Sequence, residues 1–188
     1  PFLIDLAKND LLPADAVLLD CSWFAPEAGR SGLDAFRDEH IPGAVFFDLD
    51  KASDAASPYP NMMPTAEHFA AFVGKLGIDN ATNVVIYDRS YVSARVWWMF
   101  QRFGHHRTAI LDGGLRRWKA QGRPVESGEP AQARAAVFRP SSPGDDIAVW
   151  QDVGAALSSG AEQVVDARPA DRFSGALPSG YPGLANGH

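Results

Sequence analysis

Cysteine occurs once in the 188 residues, at Cys21. That scarcity excludes an internal disulfide framework and any metal centre built on several thiolates, and it points to a reducing, cytoplasmic setting. Long apolar runs are also missing. No stretch approaches the ~18 residues of a membrane span, so no membrane partner is expected. The opening segment, Pro1 to Asp5, has no basic leader ahead of an apolar core, so no secretory signal is expected either. Basic charge is in deficit: 17 Lys and Arg stand against 23 Asp and Glu, for a net charge of -6. With no basic stripe, a phosphate-backbone partner such as nucleic acid is not expected. Histidines are few, and His40, His68, His105 and His106 fall at no metal-ligand spacing, so no metal site is expected. What remains is ordinary: 46% apolar and 21% charged residues, the composition of a globular domain.

Short β-rich runs alternate with helical stretches, which predicts an α/β fold with a mainly parallel central sheet covered by helices. Ala16 to Asp20 reads as a strand, and Ala44 to Asp48 as a second one after the Pro42-Gly43 turn. Thr65 then serves as N-cap to a helix with Phe69, Phe72, Val73 and Leu76 on one face and Gly77 past its end. Val84 to Tyr87 is apolar throughout, as in a central strand buried on both faces. Ser93 to Phe103 follows as a helix stopped at Gly104. Thr108 to Leu111 is a further strand, and the helix Leu115 to Gln121 ends at Gly122 with Pro124 beyond.

The first domain thus occupies residues 1–125. From Glu126 to Pro143 the composition shifts to Ser, Gly, Ala, Gln and Pro, which reads as a linker, 126–143. In 144–188, Val149, Val153 and Leu157 suggest a helix and Gln163 to Asp166 a strand. Asp166 and His188 echo Asp20 and His40 at offsets of 146 and 148 residues, so 144–188 reads as the start of a second, truncated copy.

The string Leu18-Leu19-Asp20-Cys21-Ser22-Trp23, followed by His40-Ile41-Pro42-Gly43-Ala44-Val45-Phe46-Phe47-Asp48, resembles the first domain of two-domain rhodanese-type sulfurtransferases. The likeness continues through Ser57-Pro58-Tyr59, Arg95 to Phe100, Phe103-Gly104-His105 and Leu111-Asp112-Gly113-Gly114. Asp166-Ala167-Arg168 with Arg172-Phe173 and Gly187-His188 resembles the opening of the second. The resemblance implies a rhodanese-like domain and transfer of a sulfane sulfur from thiosulfate or 3-mercaptopyruvate to a thiol or cyanide acceptor through a cysteine persulfide. It implies no cofactor.

Persulfide chemistry needs a thiolate, surrounded by main-chain N–H groups that stabilise its charge. In the first domain the corresponding loop position holds Asp88, a carboxylate, which marks this domain as non-catalytic. Adding the repeat offset to position 88 puts the nucleophile near 234 to 236, past His188, and this chain is expected to be inactive. Cys21 is expected to be a partly buried structural residue. Six residues after it stands Glu27, and the first arginine is Arg30, so no phosphatase-type Cys-x5-Arg loop is formed.

By the same resemblance, Asp50 faces the active-site cleft, Arg172 binds the anionic donor with its planar fork, and Trp23, Tyr91 and Val92 form an apolar cleft wall. Asn61 stands at a substrate-facing position where mercaptopyruvate-type members carry histidine. A second donor-binding arginine is replaced by the stretch Leu177 to Tyr181, and the loop from Asp88 to Ala94 is short and lacks a proline before Arg95. A rhodanese-like module that binds or senses a partner without catalysis is the alternative. Self-association through the truncated tail is a further expectation.

Overall fold

A computed structural model describes residues 2–8, 10–141, 146–179 and 185–187. It divides into two units, Pro1–Pro143 and Gly144–His188.

In the first unit five strands, β1 (Leu3–Ile4), β2 (Val17–Asp20), β3 (Val45–Phe46), β4 (Val84–Tyr87) and β5 (Thr108–Leu111), form one sheet in the order β1-β5-β4-β2-β3. Every pairing is parallel, for example Leu19 with Ile86 and Val84 with Thr108. Parallel strands must be joined by crossovers, so helices cover both faces and the inner strands are apolar on both sides. Val84, Val85, Ile86 and Tyr87 are all buried. Within that run the side chains still alternate: Val84 and Ile86 join one core cluster, Val85 and Tyr87 the other.

The first cluster lies under α2 (Leu49–Ala52), α3 (Ala66–Lys75) and α4 (Ser93–Arg102). Its centre is aromatic. Phe69 packs edge-on against Phe100 at 5.2 Å and stacks on Phe103 at 4.6 Å. The second cluster lies under α1 (Gly32–Asp38) and α5 (Gly114–Ala120), with Phe36, Leu115 and Trp118 buried against β4 and β5.

The punctuation follows the chain's capping residues. Thr65 accepts the N–H of His68 at 3.2 Å to cap α3, and Gly77, Gly104 and Gly122 take positive φ just past the ends of α3, α4 and α5. Residues 163–166 form no strand, contrary to the expectation from their apolar pattern; Val165 is 83% exposed. A strand needs a neighbour to satisfy its main-chain groups, and the second unit's described residues contain only α6 (Trp150–Ser159) and α7 (Ala170–Ser174). Pro143, Gly144, Gly180, Tyr181 and His188 lie outside the described residues, so the 177–181 stretch and the His188 echo are only partly visible. No helix among the described residues is long and apolar enough to cross a membrane.

The segment read as a linker packs as a strap on the first unit. Glu126 and His40 exchange main-chain hydrogen bonds at 2.8 and 2.9 Å, Ala136 donates to Gly74 at 2.8 Å, and Ser141 donates to Phe103 at 3.1 Å. Phe138 is 5% exposed, edge-on to Phe69 at 6.0 Å. Phe138→Ala is expected to cost about 3 kcal/mol and to speed amide exchange at Ala136 and Ser141 more than at β4.

His105 is buried between Thr108, whose hydroxyl lies 2.8 Å from Nδ1, and the carbonyl of Asp79, 3.1 Å from Nε2. Burial holds its imidazole below the ordinary value of 6.5. The folded state therefore binds fewer protons than the unfolded one, so this contribution is present above 6.5 and is lost as pH falls through it. Urea midpoints taken between about pH 7 and pH 5 should fall in the native chain and fall less in His105→Asn.

Candidate functional site

An all-parallel sheet brings the carboxyl ends of its strands to one edge, where open α/β folds hold their ligands. Here β2, β4 and β5 each run into an aspartate, and β3 reaches one two residues on. The reason is local: a carboxylate there accepts main-chain N–H groups of the following turn. Asp20 accepts from Ser22 at 2.8 Å, Asp48 from Lys51 at 3.2 Å, and Asp112 pairs with Arg117.

Asp88 does this most completely. One oxygen accepts the Ser90 N–H at 3.2 Å and the other the Ser93 N–H at 2.7 Å, at the start of α4. It is 6% exposed. The donors that would otherwise face a bound anion are thus occupied by the chain's own carboxylate. Gly114 closes the loop from behind: its φ is +53°, and a Cβ there would stand 2.3 Å from the Asp88 carbonyl oxygen. The neighbouring Leu115 N–H donates to that same carbonyl at 3.2 Å.

Cys21 follows β2 directly, yet it is fully buried in the first core cluster rather than partly exposed. Its thiol donates to the Tyr87 carbonyl at 3.4 Å. Burial, and then the carboxylates of Asp88 and Asp20, push the thiol well above its ordinary pKa. A thiolate is disfavoured here, and with it nucleophilic attack. Alkylation of Cys21 with iodoacetamide should be at least about a hundredfold slower in the native chain than in denaturant, because reaction requires opening of the core.

Burial also raises the pKa of Asp20. Its carboxyl lies by the Tyr87 hydroxyl, which accepts the Ile41 N–H at 3.1 Å. His40 is equally internal, stacked on Phe36 at 3.8 Å, with Nδ1 2.8 Å from the Phe36 carbonyl and Nε2 3.4 Å from Glu126. These groups hold the sheet edge and the strap together.

Of the residues singled out in the sequence, Trp23 and Asp50 meet. The indole Nε1 donates to the Asp50 carboxylate at 3.0 Å, on the wall of an open depression of about 180 Å³ that Ser22, Arg30 and Asp48 also line. Gly32 lines it too; a Cβ there would stand 2.0 Å from the Ser22 carbonyl oxygen. Tyr91 and Val92 part company: Tyr91 is 78% exposed, and Val92 is buried in the first core cluster. Asn61 has a left-handed backbone, φ 56°, and its carbonyl accepts from Arg95 Nη2 at 2.8 Å. Arg172 lies on α7 of the second unit, with Nη1 donating to the Ser179 carbonyl at 2.9 Å. No group of three or more His, Cys, Asp or Glu among the described residues is placed to hold a metal ion.

Sequence reading missed Arg89. This residue is half-buried, donates to the Ala35 carbonyl at 2.7 Å and to the Glu39 carbonyl, and fastens the Asp88 loop to α1. An arginine directly after a buried loop carboxylate was the available signal.

Parallel strands between two helical layers, with a strand-to-helix loop gathering main-chain N–H groups, define an α/β domain. Residues 5–121 match the rhodanese-like domain family, and the chain belongs to it. It is 47% identical over 175 residues to human 3-mercaptopyruvate sulfurtransferase, covering 91% of this chain and 59% of that protein. It is 40% identical over 195 residues to chicken thiosulfate sulfurtransferase, covering 98% and 67%. The crystal structure of SseA from Escherichia coli, described as a 3-mercaptopyruvate sulfotransferase with the rhodanese fold, superposes with a TM-score of 0.84 at 30% identity, over all of this chain and 71% of that one. The chain therefore spans about three-fifths of the human relative's length.

Proposed function

We propose that this chain supplies the supporting half of a two-domain sulfurtransferase, which moves a sulfane sulfur from thiosulfate or 3-mercaptopyruvate to a thiol or cyanide. The observation that carries this reading is the loop after β4, where a carboxylate that cannot bond to sulfur accepts the N–H groups, while the only thiol is buried beneath it. The nucleophile then belongs to a second rhodanese-like domain, whose beginning is residues 144–188 and whose cysteine falls near 234 to 236.

In that reaction the second domain's thiolate attacks the outer sulfur of the donor. Sulfite leaves from thiosulfate, or pyruvate enolate from 3-mercaptopyruvate, and a persulfide remains. Cyanide or a thiol then takes the terminal sulfur and releases the thiolate. Both steps are two-electron transfers between sulfur and a nucleophile, and they need no cofactor. Arg172 would pair with the donor's carboxylate or sulfonate oxygens. Asp50, held by Trp23, would contribute to donor binding from the first domain together with the exposed Tyr91, whereas Val92 is taken up by the core; Asn61 in place of histidine shifts preference away from 3-mercaptopyruvate. A cytoplasmic setting accords with a single, protected thiol.

A protein carrying this segment with a complete, cysteine-bearing second domain should form thiocyanate from cyanide and either donor. No turnover with either would discard the reading in favour of a non-catalytic binding module, which the carboxylate at position 88 also suits. In the isolated chain Val149, at the N-cap of α6, and Trp150, Val153 and Leu157 on it are 52%, 79%, 36% and 68% exposed. We propose that the chain pairs with a second copy through this face, so sedimentation should be concentration-dependent and become monomeric in Trp150→Glu.

A further inference from the structure

Beside the Asp88 loop, an open pocket of about 330 Å³ is lined by Phe24, Arg30, Glu39, Arg89, Leu115, Arg116 and Lys119, all in the first unit. Four cationic side chains meet one carboxylate there, on a chain whose net charge is -6. Their arrangement is not a mutual neutralisation. Glu39 alone accepts two of them, Lys119 at 2.6 Å and Arg89 at 3.5 Å, and these partners hold its carboxyl below the ordinary range. Arg89 is pinned further by the carbonyls of Ala35 and Glu39, which fix its position without neutralising it. Arg30 and Arg116 form no ion pair with any described residue; both are exposed. The Arg30 guanidinium lies over the Phe24 ring, 4.2 Å from its centre, which holds the fork beside the pocket at small entropic cost.

We propose that this pocket binds a small oxoanion carrying two or more negative charges, of the sulfate, thiosulfate or pyrophosphate kind, with Arg30 and Arg116 as its main ligands and Arg89 and Lys119 as flanking charge. Two unpaired guanidinium forks suit an anion with several acceptor oxygens better than a halide, which offers one charge and no fork geometry. The two forks and the residual positive charge also exceed what a single carboxylate would satisfy. The site shares Phe24 and Arg30 with the rim of the depression formed by Trp23 and Asp50 but is otherwise lined by different residues, and the inference does not rest on the sulfur-transfer reading.

The test is a titration of the 188-residue chain with sodium thiosulfate, sodium sulfate and sodium pyrophosphate, each against sodium chloride at equal ionic strength, followed by amide chemical shifts. The expected result is saturable movement of the Arg30, Leu115 and Arg116 amides with at least one of the oxoanions and none with chloride. Tighter binding of thiosulfate and sulfate would identify a sulfur oxoanion site, and tighter binding of pyrophosphate a phosphoryl one. Arg30→Ala and Arg116→Ala should each weaken the constant about tenfold. Both side chains are exposed, and amides elsewhere should keep their positions, which separates lost binding from lost folding. Shifts that are linear in concentration and equal in chloride, or that survive in the double variant, would overturn the proposal.

Discussion

Phe69→Ala is expected to lower the free energy of unfolding by about 3–5 kcal/mol, a large part of the ~5–15 kcal/mol that holds a domain folded. Phe69 is fully buried and touches three other rings: Phe100 from α4, Phe103 just after it, and Phe138 from the strap. Removing the ring takes away its own transfer from water and leaves a cavity that three elements would have to move together to fill. A urea melt would show the midpoint falling with little change in slope. Phe69→Leu should recover most of the loss, since it restores much of the volume. A loss below about 1 kcal/mol would mean that the aromatic cluster collapses easily, and that the strap is a looser attachment than its hydrogen bonds with Gly74 and Phe103 indicate.

The second large effect is on turnover. Mixed with thiosulfate or 3-mercaptopyruvate and cyanide, the 188-residue chain is expected to produce thiocyanate no faster than the uncatalysed mixture. Three features act together. The loop that would cradle a persulfide holds Asp88, whose two oxygens already accept the Ser90 and Ser93 N–H groups. The only thiol donates to the Tyr87 carbonyl inside the core. Two carboxylates, Asp88 and Asp20, stand close enough to oppose its ionisation. Removing one obstacle alone should not create activity. Asp88→Ala would free two main-chain donors but would leave Cys21 buried and un-ionised, so the rate should stay at background.

Much of the fold was legible in advance because local chemistry and tertiary context agree. The all-apolar run Val84 to Tyr87 could sit only in the middle of a parallel sheet. Thr65 and Gly77 bracket α3 through a hydroxyl cap and a left-handed glycine. Where the reading failed, distant partners decided the outcome. Strand β1 has only two residues and is defined by β5; Arg117, reaching Asp5 at 2.9 Å, helps to tie it down. Residues 163–166 have the pattern of a strand, but no described strand of their unit lies beside them. The 126–143 segment has the composition of a linker because a strap needs few apolar anchors; Phe138 and the Glu126 contacts suffice. In the site, the pairing of Trp23 with Asp50 was foreseeable only as a shared direction. The separation of the exposed Tyr91 from the buried Val92 follows from the path of the loop after Asp88, which the sequence does not specify. Arg89 escaped notice because its role lies in the carbonyls of Ala35 and Glu39, 54 and 50 residues away.

The most direct test is the mass of the intact chain after incubation with excess 3-mercaptopyruvate or thiosulfate and rapid removal of the donor, without any acceptor to discharge a product. An unchanged mass, with Cys21 recovered as a free thiol after unfolding, is the predicted result. A gain of one sulfur atom, located to Cys21 in the native chain, would contradict the assignment of this domain as a support that carries no sulfur itself.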